Sequence, residues 1–93
     1  MCRVAVPGVL REFTGGSASV PVAHPDGAPL AEVLDTLADG CPGLGRRIRD
    51  ERGELRRFVN VYVDGEDARR LAGLDTPVPA AAEVRIVPSV AGG

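Results

Sequence analysis

Residues 29–40 of this chain read PLAEVLDTLADG, and this stretch decides the fold class. Its large apolar residues recur at the spacing i, i+3, i+4, i+7, which forms one face of an amphipathic helix: Leu30, Val33, Leu34 and Leu37. Pro29 suits a first helical position because its missing N–H is not needed there, and Gly40 can end the helix in the left-handed conformation. The pattern predicts a helix over residues 29–39, with Asp26 as the available side-chain cap.

Strand-like alternation lies on both sides of the helix. Residues 3–10 and 18–23 flank the turn signal Gly15-Gly16, which predicts an N-terminal β-hairpin. Residues 56–63 predict a third strand that ends at the turn dipeptide Asp64-Gly65. Residues 83–87 predict a fourth strand.

The order strand, strand, helix, strand, strand predicts one α+β domain over residues 1–93. The simplest architecture with this order is a β-grasp (ubiquitin-like) fold, with one main helix covering a mixed sheet of four or more strands. Smaller features are a short helix around residues 44–49, a helical turn at 67–71 and a loop through Pro77 and Pro79. The helix is expected to pack on the inward residues of the strands: Val4, Val6, Val59, Val61, Val84 and Ile86.

Composition excludes several classes of protein. The length rules out a large enzyme, and the net charge of −2 argues against a polyanion-binding protein. No apolar run approaches the roughly 18 residues of a membrane helix. Residues 1–13 contain Arg3, Arg11 and Glu12 and make a poor signal peptide, so the chain is expected to be cytoplasmic.

No group of titratable residues predicts a catalytic or metal site. His24 stands alone in a loop, and two cysteines, Cys2 and Cys41, are too few for a disulfide framework or a zinc site. Cys41 has no neighbouring base that would activate it. The acidic pair Glu66 and Asp67 suits a solvated turn. The sequence therefore predicts no catalytic residue and no bound metal or cofactor.

Residues 46–57 form a basic segment in an otherwise acidic chain. The segment contains six arginines and three acidic residues, which give a local charge of +3. The rest of the chain contains five arginines and ten acidic residues, which give −5. The segment is either a solvated surface or an electrostatic docking patch. A nucleic-acid site is disfavoured, because only Phe58 adjoins it and no series of aromatic residues is available for stacking.

Strand parity places Phe58, Tyr62 and Val87 on the sheet face opposite the helix. An exposed apolar face of this kind often marks a partner site. Alternatively, residues 41–57 or 66–82 fold over it.

The terminal residues, Val90-Ala91-Gly92-Gly93, follow Pro88 and the last predicted strand. Glycine has no Cβ, so a Gly-Gly end can enter a narrow channel. Its α-carboxylate, with an ordinary pKa of about 3.3 to 3.7, is ionised at neutral pH and is a poor electrophile. Acyl chemistry there needs prior activation, for example as an acyl-adenylate made from ATP. The other interpretation of residues 88–93 is a frayed tail.

Five segments together resemble the ubiquitin-like sulfur carrier family, which includes the MoaD and ThiS types. They are residues 57–63 (RFVNVYV), 66–69 (EDAR), 73–74 (GL), 84–88 (VRIVP) and 90–93 (VAGG). Within that family they are most similar to the actinobacterial CysO-type carriers of cysteine biosynthesis. The chain departs from the family at residues 80–82, where three alanines replace the usual Gly-containing acidic turn.

The resemblance implies a carrier and not an enzyme. An E1-like enzyme would use ATP to adenylate Gly93, which would then become a thiocarboxylate, a terminal 1-thioglycine. Gly92, Ala91 and Val90 would enter the activating channel. The partner-binding residues expected beside this tail are Val87, Pro88, Phe58 and Tyr62.

The resemblance also implies the partners that follow activation. The sulfur would pass to a cysteine-synthase-like enzyme or to an enzyme of secondary metabolism, and a JAMM-type metallopeptidase would release cysteine. No nucleic-acid or membrane partner is expected. Two alternatives stay open: a ubiquitin-like modifier joined through Gly93 to lysines of target proteins, and a β-grasp binding module with an idle tail.

Overall fold

The computed structural model describes residues 2–24 and 26–88. Two α-helices lie in this part of the chain, α1 (Leu30–Gly40) and α2 (Pro42–Ile48). The strands found there are β1 (Cys2–Ala5), β2 (Ser19–Val22), β3 (Ala28–Pro29), β4 (Val59–Val63), β5 (Glu66–Asp67), β6 (Pro77–Val78) and β7 (Glu83–Pro88). Short 3-10 helices cover Gly8–Thr14, Ala68–Arg70 and Gly73–Asp75.

A five-stranded sheet in the order β2-β1-β7-β4-β5 forms one layer of the fold. β1 and β7 run parallel and the other neighbouring pairs are antiparallel, so the sheet is mixed. The short strands β3 and β6 pair with each other apart from this sheet. The predicted α+β architecture, a β-grasp fold with α1 on a mixed sheet, is confirmed.

The core lies between α1 and one face of the sheet. All four residues of the predicted helical stripe are buried, and so are the six inward strand residues that were expected to meet them. Leu44 and Ile48 of α2 are also buried and extend the core beyond the end of α1. Aliphatic burial of this kind is the main favourable contribution to folding.

The first predicted strand is too long. β1 ends at Ala5, and the rest of residues 3–10 turns into the 3-10 helix that begins at Gly8. Pro7 explains the change, because it has no N–H for a sheet ladder. Its carbonyl instead accepts a hydrogen bond from the N–H of Leu10 at 3.0 Å.

Both predicted ends of α1 are wrong in detail. Pro29 is extended and belongs to β3, so the first helical N–H, that of Leu30, donates to the carbonyl of Thr76 at 2.9 Å. Asp26 therefore has no capping role, since no side chain caps this end. Gly40 is the last helical residue and not a left-handed cap, because α2 begins almost immediately afterwards.

Three other predicted boundaries shift. The short helix expected at 44–49 is present as α2 but begins earlier, at the helix-starting proline Pro42. The strand expected at 56–63 begins at Val59, because residues 57–58 form a turn. The loop through Pro77 contains β6, whose pairing with β3 positions the start of α1.

Gly45 allows the two helices to pack closely. A β-carbon built on Gly45 would lie 2.5 Å from Cβ of Ala38 and 3.1 Å from its Cα. Gly45→Ala should lower the free energy of unfolding by about 1 to 2 kcal/mol, because the overpacking penalty exceeds the gain in helix propensity. Gly40→Ala is the matched control, since a β-carbon there meets nothing within 4 Å. It should leave stability equal or slightly higher, and chemical denaturation of both variants measures the contrast. Equal stability of the two would contradict the close packing.

Candidate functional site

β7 carries the chain out of the sheet toward the terminal residues. It lies between β1 and β4, and Pro88 is paired with Val59 at the start of β4. The tail therefore departs from a central strand, next to the turn that contains Phe58. The predicted reactive residue Gly93 and the predicted channel residues Gly92, Ala91 and Val90 lie outside the described residues.

Tyr62 and Val87 lie on the sheet face opposite the helices, as strand parity predicted. Tyr62 pairs with Arg85 and Asn60 pairs with Val87, while the alternating residues Val61 and Ile86 are buried. Val87 is 36% exposed and Tyr62 is half-buried. Both line one shallow groove with Gly65, Glu83 and Arg85.

The outer sheet face was expected to be either uncovered or covered by residues 41–57 or 66–82, and the structure decides part of this question. Helix α2 packs on α1 and on the 3-10 helix Gly8–Thr14, so it does not cover the outer face. A side chain from the 66–82 region does reach the face. The Arg69 guanidinium donates to Oδ1 of Asn60 and to the carbonyl of Arg56, both at 2.6 Å. These two hydrogen bonds place Arg69 at the start of β4 and leave Val87 accessible.

Val9 contributes to the site but was not predicted as a site residue. The 3-10 helix turns its side chain outward, where it is 73% exposed. Val9, Pro7 and Arg11 line a groove with Val87 and Pro88 on the β1 side of β7. Arg11 is held there because its Nε donates to the carbonyl of Val6 at 3.1 Å. The dipeptide Pro7-Gly8 was the available signal, since it interrupts a strand pattern.

Phe58 and Pro88 lie at the end of the sheet and not in the groove of Tyr62. Phe58 is 54% exposed in the turn before β4. It shares a groove with Pro88 and with three arginines, Arg46, Arg47 and Arg56. The four predicted partner-binding residues therefore form two adjoining surfaces, and Val87-Pro88 is the point where these surfaces meet.

The isolated titratable residues form no second site. Nε2 of His24 lies 3.0 Å from Oγ1 of Thr36 on the helix surface. Burial raises the pKa of the Cys2 thiol, which keeps it protonated at neutral pH. Cys41 is half-buried. No group of His, Cys, Asp and Glu suited to a metal ion occurs among residues 2–24 and 26–88, and no helix in those ranges is long and apolar enough to cross a membrane.

Comparison with known proteins identifies relatives along nearly the full chain. The "Sulfur carrier protein CysO" of Mycobacterium tuberculosis is 40% identical over 92 residues, which covers 97% of this chain and 96% of the relative. The CysO chain in the crystal structure of the Amycolatopsis orientalis BexX/CysO complex superimposes with a TM-score of 0.89. It is 36% identical, and the match covers 100% of both chains.

A relative with a different name has the same fold. "Small archaeal modifier protein 1" of Haloferax volcanii is 33% identical over 78 residues, covering 84% of this chain and 85% of that protein. The crystal structure of that protein superimposes with a TM-score of 0.82 and covers 99% of this chain and 98% of its own. The model of the ThiS family matches residues 4–93, which include the outer face, the three grooves and the tail. This chain belongs to the ThiS family.

Proposed function

We propose that this chain is a sulfur carrier whose terminal Gly93 carboxylate is activated by a partner enzyme and then holds sulfur as a thiocarboxylate. The observation that carries the proposal is the near-full-length identity of 40% to a protein named as a sulfur carrier. The family match continues through residue 93. The chain is a co-substrate of other enzymes, a role that its likeness to a named sulfur carrier and its match to the ThiS family support.

The proposed chemistry has two steps. In the first, an oxygen of the Gly93 carboxylate attacks the α-phosphorus of ATP on the activating enzyme, which forms an acyl-adenylate and releases pyrophosphate. In the second, a sulfide or persulfide sulfur attacks the activated carbonyl carbon and AMP leaves. A persulfide route needs a thiol reductant to cleave the remaining S–S bond. The product thiocarboxylate is ionised and nucleophilic.

The arrangement around β7 suits this chemistry. The central strand β7 ends at Pro88, which pairs with β4, and accessible apolar side chains lie beside it. An enzyme can therefore bind the domain at Val87 and Val9 while residues 89–93 reach toward its active site. Such a tail reaches at most about 17 Å from Pro88. Gly92, Ala91 and Val90 are all small enough to pass through a narrow channel with Gly93.

The partners proposed for later steps follow the CysO-type relatives. An activating E1-like enzyme uses the ATP, and a sulfur-accepting synthase receives the sulfur. That synthase is cysteine-synthase-like or belongs to secondary metabolism. A JAMM-type metallopeptidase completes the cysteine route. The crystallised complex of a relative with BexX supports the idea that the domain binds a protein partner directly.

A second candidate function is a ubiquitin-like modifier, favoured by the likeness to small archaeal modifier proteins. Activation of Gly93 is common to both functions, and the difference lies in the acceptor. A modifier forms an isopeptide bond with a lysine of another protein. This chain contains no lysine of its own, so it cannot form chains linked through its own lysines, although it could still modify other proteins.

Intact mass of the chain isolated from its own cells tests the proposed function. A carrier should show replacement of one oxygen by one sulfur. A modifier should instead appear in covalent ladders on other proteins, and a binding module with an idle tail should show neither. Absence of the sulfur form under sulfur-replete growth, together with ladders, would overturn the carrier in favour of the modifier.

Val87 tests the proposed partner face. Val87→Asp should weaken binding to the activating enzyme, because it places a charge in the middle of an accessible apolar patch. Titration calorimetry with the activating enzyme measures the affinity, and denaturation checks that the variant is folded. Thr36→Asp on α1 adds the same charge on the opposite side of the domain and should bind as the wild type does. Equal affinity of a folded Val87→Asp would remove this face from the proposal.

A further inference from the structure

The groove at the end of the sheet is both basic and apolar. We call it the basic groove and define it by Arg46, Arg47, Arg56, Phe58 and Pro88. Arg46 and Arg47 lie in the last turn of α2, and Arg56 precedes the turn that leads into β4. The pairing of Val59 with Pro88 brings this segment beside the exit of the tail.

The three arginines of the basic groove have no carboxylate partner among residues 2–24 and 26–88. Ion pairs in those ranges use other arginines: Arg49 with Asp35, Arg52 with Asp50 and Arg85 with Glu83. Nε of Arg56 donates to the carbonyl of Arg46 at 2.7 Å, which holds two of the groove's residues together. The groove thus presents its positive charge outward.

Arg47 is positioned by an aromatic ring. Its guanidinium carbon lies 5.3 Å from the centroid of Phe13, within the range of a cation–π interaction. The contact orders the arginine without neutralising it. Of the three acidic side chains in residues 46–57, that of Asp50 is engaged locally, since it accepts hydrogen bonds from the backbone N–H groups of Arg52 and Glu54 at 2.9 and 3.1 Å.

The position of the groove limits what it can meet on a partner. Gly93 can lie up to about 17 Å from Pro88 in an extended tail. With an extended tail, the basic groove would lie outside the active site, at the mouth of the channel, while the terminal carboxyl reacts with ATP. The surface it meets there is a protein rim and not the nucleotide phosphates. Phe58, with 54% exposure, offers that rim an apolar contact between the charges.

We propose that the basic groove docks onto a cluster of Asp and Glu side chains at the channel mouth of the activating enzyme. The inference rests on the proposed function and names the partner chemistry of that site. Positive charge beside the tail would steer the carrier so that the tail reaches the channel first. An RNA partner is less suited, because Phe58 is the groove's only aromatic residue among those described and bases would lack a stacking series.

The test compares two double variants in ATP–pyrophosphate exchange with the E1-like enzyme of the same genome. Arg46→Glu/Arg47→Glu replaces two positive charges of the basic groove with negative ones. Arg52→Glu/Arg70→Glu makes the same change in net charge at exposed positions outside the groove. At low ionic strength the groove variant should lose about 10-fold or more in kcat/KM while kcat at saturating carrier is kept. The difference should shrink as added salt screens the charges. The control should retain the wild-type kcat/KM.

A second groove variant separates loss of charge from loss of folding. Arg46→Gln/Arg47→Gln removes the charges without reversing them and should show a smaller loss of the same kind, with circular dichroism and denaturation like the wild type. Wild-type kcat/KM in both groove variants at low salt would overturn the inference. An equal loss in the control would do the same, because it would make the effect one of net charge.

The remaining outcomes are also decisive. Salt-sensitive binding of a single-stranded RNA oligomer by the wild type, lost in the groove variants while exchange is unchanged, would assign the groove to nucleic acid and overturn the proposal. A wild-type chain that supports no exchange at any salt concentration overturns the proposed function and the docking together. If the wild type is active and both groove variants have the wild-type kcat/KM at low salt, the docking is overturned and the proposed function stands.

Discussion

One residue added after Gly93 should abolish ATP-dependent thiocarboxylation. The carboxyl group would then belong to the added residue, one position beyond the carbon that the activating enzyme is expected to hold. The assay is intact mass after incubation with ATP, the activating enzyme and a sulfide source. The same residue added before Met1 is the matched control, because it adds the same mass at the other end of the chain, and it should react like the wild type. Full conversion of the extended chain without trimming would show that the terminus is not the working group.

Gly92→Val should block the same reaction without moving the carboxyl. A β-branched side chain narrows the allowed backbone angles and adds width that a channel built for glycine lacks. The denaturation midpoint should be unchanged, because the buried core of the described chain is built from residues between Cys2 and Ile86. Conversion of this variant at the wild-type rate would mean that the channel does not select for glycine.

Leu34→Ala should have the largest effect on stability. Leu34 is only 1% exposed and lies in the middle of the stripe that α1 presses onto the sheet. Truncation of such a leucine typically costs about 2 to 5 kcal/mol, through lost transfer free energy and the cavity left behind. Chemical denaturation measures the change.

Leu71→Ala is the matched control for that variant. Leu71 is 46% exposed, so the same truncation there should change the free energy of unfolding by less than about 1 kcal/mol. An unchanged midpoint for Leu34→Ala would place the helical stripe on the surface and contradict the packing.

Periodicity in the sequence predicted the elements that make the core. The helical stripe, the valines of β4 and the alternation of β7 each obey one period over enough residues to be recognised. The paired strands β3 and β6 escaped prediction because each has two residues, which is too short for any period. Their pairing also decides how α1 begins, so the error at Pro29 followed from the same omission.

Long-range pairing explains what the sequence could not predict about the site. Residues 46–57 were recognisably basic, but nothing local indicated that Arg46 would lie beside Pro88. That neighbourhood depends on the register of β4 against β7 and on the packing of α2 against α1. Likewise, Val9 faces solvent because the chain leaves β1 before Pro7 and enters a 3-10 helix at Gly8. In a continued strand, Val9 would have had different neighbouring residues.

Localisation of the transferred sulfur tests the central claim most directly. Trypsin cleaves after arginine, so the terminal peptide after Arg85 spans residues 86–93, and Cys41 falls in a separate peptide of residues 12–46. After reaction with ATP, the activating enzyme and sulfide, fragment masses should place an exchange of one oxygen for one sulfur on Gly93. Residues 86–93 that stay unchanged in mass under these conditions would contradict the account. So would a repeat with a persulfide donor in place of sulfide, if the donor's outer sulfur passes to the Cys41 thiol, the donor leaves as a thiol and residues 86–93 stay unchanged.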